Sequence, residues 1–188
     1  LPLTKGQIIF ENKDITETME GRYNKIKKPQ KIGDIATNLI GDIIINLIRE
    51  NEEYIKGNTI TIVINEKMKK PIPDILIMND RNLRIEVEIK NWKKTKNKKH
   101  FYPSDIKGSK KKSGIKDKFS KDADKKYLFA CGLGFNKNNL DYLYKNTDIQ
   151  YLHLTDKQIN KDTNMDNIRK KIKQKLNRSR FMKNFLYN

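Results

Sequence analysis

The stretch Pro73–Lys90, PDILIMNDRNLRIEVEIK, limits the possible folds more than any other part of the chain. Its two apolar runs are short and are separated by Asn79-Asp80-Arg81-Asn82. Asn and Asp tolerate left-handed backbone angles and bond to their own neighbours, so this tetrapeptide predicts a turn. Asp74–Met78 and Leu83–Lys90 then predict the two strands of a hairpin. Side chains alternate along a strand. Ile85, Val87 and Ile89 therefore face a core, and Glu86, Glu88 and Lys90 face the other way. Alternating charges are common on the outer face of a surface hairpin, and EVEIK alone would read so. Asp74 weakens that reading. The hairpin returns Glu88 and Lys90 to its neighbourhood, and Pro73 fixes the chain entering the strand. Charged groups then converge at one end of a sheet.

The elements around the hairpin follow from periodicity. From Lys31 to about Arg49, apolar residues from Ile32 to Ile48 recur at helical spacing and predict a buried helix. Its polar stripe is Asp34, Asn38, Asp42 and Asn46, spaced by four and so on one face. Gly41 admits a close neighbour. Asn58–Asn65 reads as a β-branched strand. Beyond Trp92, a long basic stretch predicts a loop and then a helix around Ile115–Ala123. Tyr127–Cys131 predicts a strand. Asn139–Lys145 predicts a helix capped at Asn138 or Asn139, Ile149–Leu154 a strand, and Met165–Leu176 a helix. LTKGQIIF near the start has room for a short strand. The elements then run helix, three strands, helix, strand, helix, strand, helix, which is an α/β pattern. Residues 1–30 read as an N-terminal extension, 31–154 as the core with a basic insertion at 91–126, and 155–188 as a C-terminal helical extension. The length, 188 residues, suits one domain with small additions.

Two carboxylates at the end of a sheet can hold Mg²⁺, a hard ion that prefers oxygen ligands and retains several waters. Such an ion activates water or stabilises charge on a phosphate under attack. A neighbouring lysine can orient the water or set positive charge against the developing oxyanion. As a general base it would need its pKa lowered from about 10.4, and the sequence leaves that open. Pro73-Asp74 followed by Glu88-Ile89-Lys90 resembles the signature of the PD-(D/E)XK nuclease superfamily, which includes restriction endonucleases, archaeal Holliday junction resolvases and repair enzymes. The resemblance covers about Lys31 to Leu154. It implies a restriction-endonuclease-like core, an α/β fold with a central mixed sheet flanked by helices in α-β-β-β-α-β order, with Mg²⁺ on Asp74 and Glu88 and water assistance by Lys90. It implies a Mg²⁺-dependent DNA endonuclease, and the basic insertion and C-terminal extension favour the restriction type, with a junction resolvase, a repair nuclease or a non-catalytic DNA-binding protein as alternatives. Cutting both strands implies two active sites and hence a homodimer. Many members add an acid from the first helix. Here Asp42, beside Gly41, is favoured over Asp34, which suits a cap near the helix start; Glu20, or no acid, remains open. Glu86, on the face of Glu88, either joins the metal set or faces solvent.

Charge adds an acidic partner. Formal net charge is +18. Lys93–Lys126 holds 14 lysines against 4 aspartates, and Lys161–Lys183 holds 9 Lys and Arg against 2 aspartates. The first segment follows the acidic strand directly. Lys93, Lys94, Lys96, Lys98 and Lys99 would flank an entering phosphate, and Lys110, Lys111 and Lys112 sit in a loop between Gly108 and Gly114 that reads as mobile and able to order on DNA. A lysine-rich chain also arises from biased base composition, so the placement carries more weight than the total. Trp92 reads as a seam residue under the strand end. His100 and His153 lie apart from other ligands, which argues against zinc. Cys131 ends an apolar strand and reads as buried packing. A single cysteine excludes an internal disulfide and suits a reducing interior, so the expected location is intracellular, cytoplasmic or nucleoid-associated. Gly132 and Gly134 form a turn rather than a nucleotide-binding fingerprint. Phe181, Phe185, Leu186 and Tyr187 form an apolar tail suited to docking on a partner. No apolar run spans a membrane. The sequence opens on Leu1, as a trimmed product or a fragment would, and shows no signal peptide.

Overall fold

A computed structural model describes residues 7–12, 15–19, 22–26, 32–51, 59–64, 73–79 and 81–185. The central sheet has six strands: β1 (Gln7–Asn12), β4 (Thr59–Ile64), β5 (Ile75–Asn79), β6 (Arg84–Trp92), β7 (Lys125–Gly132) and β8 (Ile149–Thr155), adjacent in that order. β4, β5 and β6 form an antiparallel meander. β1 lies parallel to β4, β7 parallel to β6, and β8 parallel to β7, so the sheet is mixed. A separate hairpin joins β2 (Ile15–Met19) to β3 (Arg22–Ile26). The segment read as an N-terminal extension thus supplies an edge strand to the central sheet.

The turn between β5 and β6 forms as its residues dictate. The Asn79 side chain accepts from the backbone N–H groups of Arg81 and Leu83, at 3.0 and 2.9 Å. Asn82 takes the left-handed conformation, φ 63°. The pairing sets Ile75 opposite Val87, which brings Asp74, one residue before β5, to the level of Glu88.

Helices cover both faces. On one, α1 (Ile32–Glu50), α4 (Met165–Arg178) and α5 (Arg180–Lys183) bury Ile40, Ile44, Ile48, Ile172 and Leu176 against Ile85, Val87 and Ile89. Gly41 explains the fit of α1: a Cβ there would lie 2.4 Å from Ile64 Cδ1, so the close neighbour is the sheet. On the other face, Leu128 and Ala130 pack with Phe101, Ile106, Ile115 and Leu143 from α2 (Pro103–Lys107), a 3-10 turn (Ile115–Lys118) and α3 (Lys137–Asn146).

Four expectations need correction. The helix placed at Ile115–Ala123 is only the four-residue 3-10 turn, and the helix of the insertion is α2, begun by Pro103. The α3 cap is Asn136, whose side chain accepts from the Asn139 N–H at 2.9 Å. The loop at Lys110–Lys112 is a closed turn: Gly108 bridges Ser113, and Ser109 N–H donates to the Lys112 carbonyl at 2.7 Å. The aromatic tail docks on its own sheet, with Phe181 packed on Tyr127, Phe129 and Phe185 at ring distances of 5.0–5.2 Å. Leu186, Tyr187 and Glu20 lie outside the described residues.

Candidate metal and nucleic-acid site

β6 is buried on both faces, which decides the character of its charges. Glu86 and Glu88 are 0 % and 4 % exposed. Neither is a solvated surface acid. Both leave the sheet on the side of Leu128 and Ala130, beneath the layer formed by the basic insertion. A carboxylate at such a depth needs hydrogen bonds, a counter-charge or a proton.

Glu86 has the first two. It accepts from Arg84 Nε at 2.8 Å, from the Ser120 N–H at 2.8 Å and from the Ser120 hydroxyl. Asp124 accepts the Arg84 N–H at 2.7 Å and closes the same network. These bonds fasten residues 120–124 of the insertion to β6. Glu86 therefore holds the covering layer in place, and its oxygens are already occupied.

Glu88 is placed differently. Asp74 stands beside it, with Asp74 Oδ2 accepting the Ile89 N–H at 2.7 Å across the hairpin. Burial, the Asp74 charge and a hydrogen bond between the two carboxyl groups push Glu88 well above the usual carboxylate range, while Lys90 and Lys118 pull it back. Two acids here share a space that favours one negative charge. Without a cation, burial and the neighbouring Asp74 charge favour the protonated form of Glu88. A divalent cation with oxygen preference fits such a pair, since it removes the repulsion and completes its shell with water.

Lys90 and Trp92 continue along β6, next to Ala130 and Gly132 of β7. Three ammonium groups surround the Trp92 ring: Lys90 at 5.4 Å, Lys98 at 4.7 Å and Lys112 at 5.5 Å from its centre. Trp92 packs on Phe101 at 5.3 Å, so it is a seam residue with a cationic rim. Lys98 is also held by Asp105 at 2.6 Å. Lys93, Lys94, Lys96, Lys99, Lys110 and Lys111 are exposed. The insertion is therefore a folded basic cover over the acid pair, not a loose strand of lysines.

Asp42 does not join the pair. It lies on α1, on the opposite face of the sheet, and its carboxylate pairs with Arg169 of α4. Asp34 sits in the first turn of α1. Among the described residues no group of three or more His, Cys, Asp or Glu side chains gathers, so the four-acid set of Asp74, Glu88, Asp42 and Glu86 is not assembled. Sequence reasoning also missed Lys118, which the 3-10 turn carries to Glu88. Nothing in the sequence singles it out from the other lysines of the insertion.

The remaining candidates are structural. His153 Nε2 lies 3.1 Å from the Gly132 carbonyl. His100 forms a backbone bridge to Gly134. Cys131 is buried, which raises its thiol pKa to about 11. Gly132 has φ 79° and lies against the Trp92 carbonyl, as a turn requires. No helix among the described residues is long and apolar enough to cross a membrane. Comparison with family models, with curated proteins and with solved structures gave no match.

Proposed function

We propose that this chain is a Mg²⁺-dependent DNA endonuclease of restriction type, built on a restriction-endonuclease-like core. The observation that carries the reading is half-buried Asp74 beside buried Glu88, with Lys90 two residues beyond Glu88 on the same strand face. The mixed sheet, with a meander ending at β6 and a parallel β7 beside it, agrees with that core.

Asp74 and Glu88 are the residues that would hold Mg²⁺, and the bound ion would supply Lewis acidity toward a phosphate oxygen and acidify a water. Lys90 would orient the attacking water and oppose the negative charge that builds on the phosphate. Water adds to phosphorus in line with the leaving oxygen, the bond from phosphorus to the 3′ oxygen breaks, and that oxygen departs as a 3′-hydroxyl. Lys118 faces the site from the cover. Lys98 and Lys112, around the Trp92 ring, would meet neighbouring phosphates. Glu86 holds the cover over the acids. Cutting both strands of a duplex calls for two such sites, and hence a homodimer.

The test is to incubate the protein with linear duplex, supercoiled and four-way-junction DNA, in Mg²⁺ or EDTA, beside Lys90→Ala. Cutting that needs Mg²⁺ and disappears in the variant supports the proposal. Products unchanged in Lys90→Ala reject the role of Lys90. Preference for the junction would move the assignment to a resolvase. Metal-independent binding without cutting would leave a DNA-binding protein.

A further inference from the structure

We propose that the groove between the Thr155–Asn164 loop and α4 binds a second stretch of the same nucleic acid, away from the acid pair. The inference rests on the nuclease reading for its ligand class, phosphodiester backbone with accessible bases.

The groove holds about 770 Å³, within the size range of sites for organic ligands. Its position relative to the acids is fixed by one residue. Asn91, next to Lys90, donates to the Ile159 carbonyl at 2.7 Å and accepts the Ile159 N–H at 2.8 Å. Gln158 donates to the Asn91 carbonyl at 3.0 Å. The loop that forms one wall of the groove is thus tied to the end of the strand that carries Glu88 and Lys90.

The charges of α4 are sorted by flank. Arg169 and Lys173 pair with Asp42 and Glu50 of α1 and serve the packing of the two helices. Lys171, Lys175 and Arg178 line the groove instead and form no ion pair among the described residues. Asn167, Lys171, Gln174 and Arg178 recur at spacings of four, three and four, which puts them on one side of the helix. Cations alternate with amides along that side, and all four residues are exposed. Cations suit phosphates, and Asn and Gln present a paired donor and acceptor that fits base edges. Asp156 and Asp162 also line the groove, but its four cations, Lys157 included, outnumber them. A small neutral ligand would not call for such a surplus.

The test compares two variants of equal charge change, Lys171→Gln with Arg178→Gln, and Lys137→Gln with Lys145→Gln on α3. Binding of labelled duplex and single-stranded DNA is followed by anisotropy over a range of salt, in EDTA so that nothing is cut. If both α4 cations meet phosphates, the slope of log K against log salt becomes shallower by about 2 on duplex, or somewhat less on single strands. The α3 variant keeps the wild-type slope. Whichever probe shows the difference identifies the form of nucleic acid held there. Equal slopes for the two variants on both probes overturn the groove proposal. That outcome leaves the nuclease reading intact if the wild type still cuts in Mg²⁺. Failure of cutting with the α4 effect preserved would remove the nuclease reading and keep the groove.

Discussion

Replacing Asp74 with Asn should stabilise the metal-free protein. The substitution keeps the shape of the side chain and an oxygen able to accept the Ile89 N–H. It removes a negative charge beside buried Glu88. Two unit charges about 4 Å apart repel by about 4 kcal/mol at an effective dielectric near 20. Glu88 escapes part of this by retaining its proton, and water screens the half-buried Asp74, which leaves a net relief of about 1–2 kcal/mol. For a chain of this size each kcal/mol moves Tm by about 2–4 °C, so Asp74→Asn should melt about 2–8 °C higher in EDTA at about pH 8. The sign with pH follows from the raised pKa of Glu88. Between the unfolded carboxyl range and that raised value, the folded chain holds a proton that the unfolded chain has lost. Stability of the wild type therefore falls as pH rises through that window, and is regained as pH drops below it. The advantage of the variant should shrink as pH falls below the raised pKa of Glu88, where that carboxyl is neutral in the wild type. Mg²⁺ at roughly ten times its dissociation constant should add about 1.4 kcal/mol to the wild type and little to the variant. Thermal melts of wild type and variant, followed by circular dichroism, measure all three conditions. A variant less stable than wild type in EDTA at the higher pH would refute the claim that the two carboxylates crowd each other.

Glu86→Gln should lower stability by about 2–4 kcal/mol, because an amide group would face the Arg84 and Ser120 donors; chemical denaturation reads this directly. Asp42→Asn should cost only about 0.5 kcal/mol, since its pair with Arg169 is partly exposed. Calorimetric titration should find Mg²⁺ affinity unchanged in that variant, and a large loss would return Asp42 to the metal site. With its pKa raised to about 11 by burial, Cys131 should resist alkylation in the folded protein and react fully once denatured.

Much of the sheet was legible because its strands alternate or run apolar over several residues. Thr59–Ile64, the Pro73–Lys90 hairpin and the strands at Tyr127 and Ile149 each carry their own signal. Helix α1 was legible for the same reason, at the other period. Short pieces were not. α2 has five residues and shows no repeat, while Ile115 and Phe119 have helical spacing without forming a full helix. There the chain turns away so that Ser120 can reach Glu86. Three asparagines within Asn136–Asn139 each suit a cap, and only the path of the backbone chooses Asn136.

The Asp74–Glu88 pairing was legible because a hairpin is local. The fate of Asp42 was not, because its partner Arg169 lies 127 residues away. The same holds for Phe181 and Phe185, whose apolar character marked them as interface but not as part of the chain's own core. Glu86 and Glu88 look alike in sequence. Ser120 and Arg84 on one side, and Asp74 on the other, separate a structural acid from a candidate ligand.

The central claim is that Asp74 and Glu88 jointly bind a hard cation beside Lys90. Trp92 is the only tryptophan in the chain and lies two residues past Lys90, so it can sensitise a bound lanthanide. Excitation at the red edge of the indole band, with Tb³⁺ present, should give lanthanide emission that Mg²⁺ displaces and that both Asp74→Asn and Glu88→Gln abolish. Emission that persists at wild-type strength in both variants would contradict the claim.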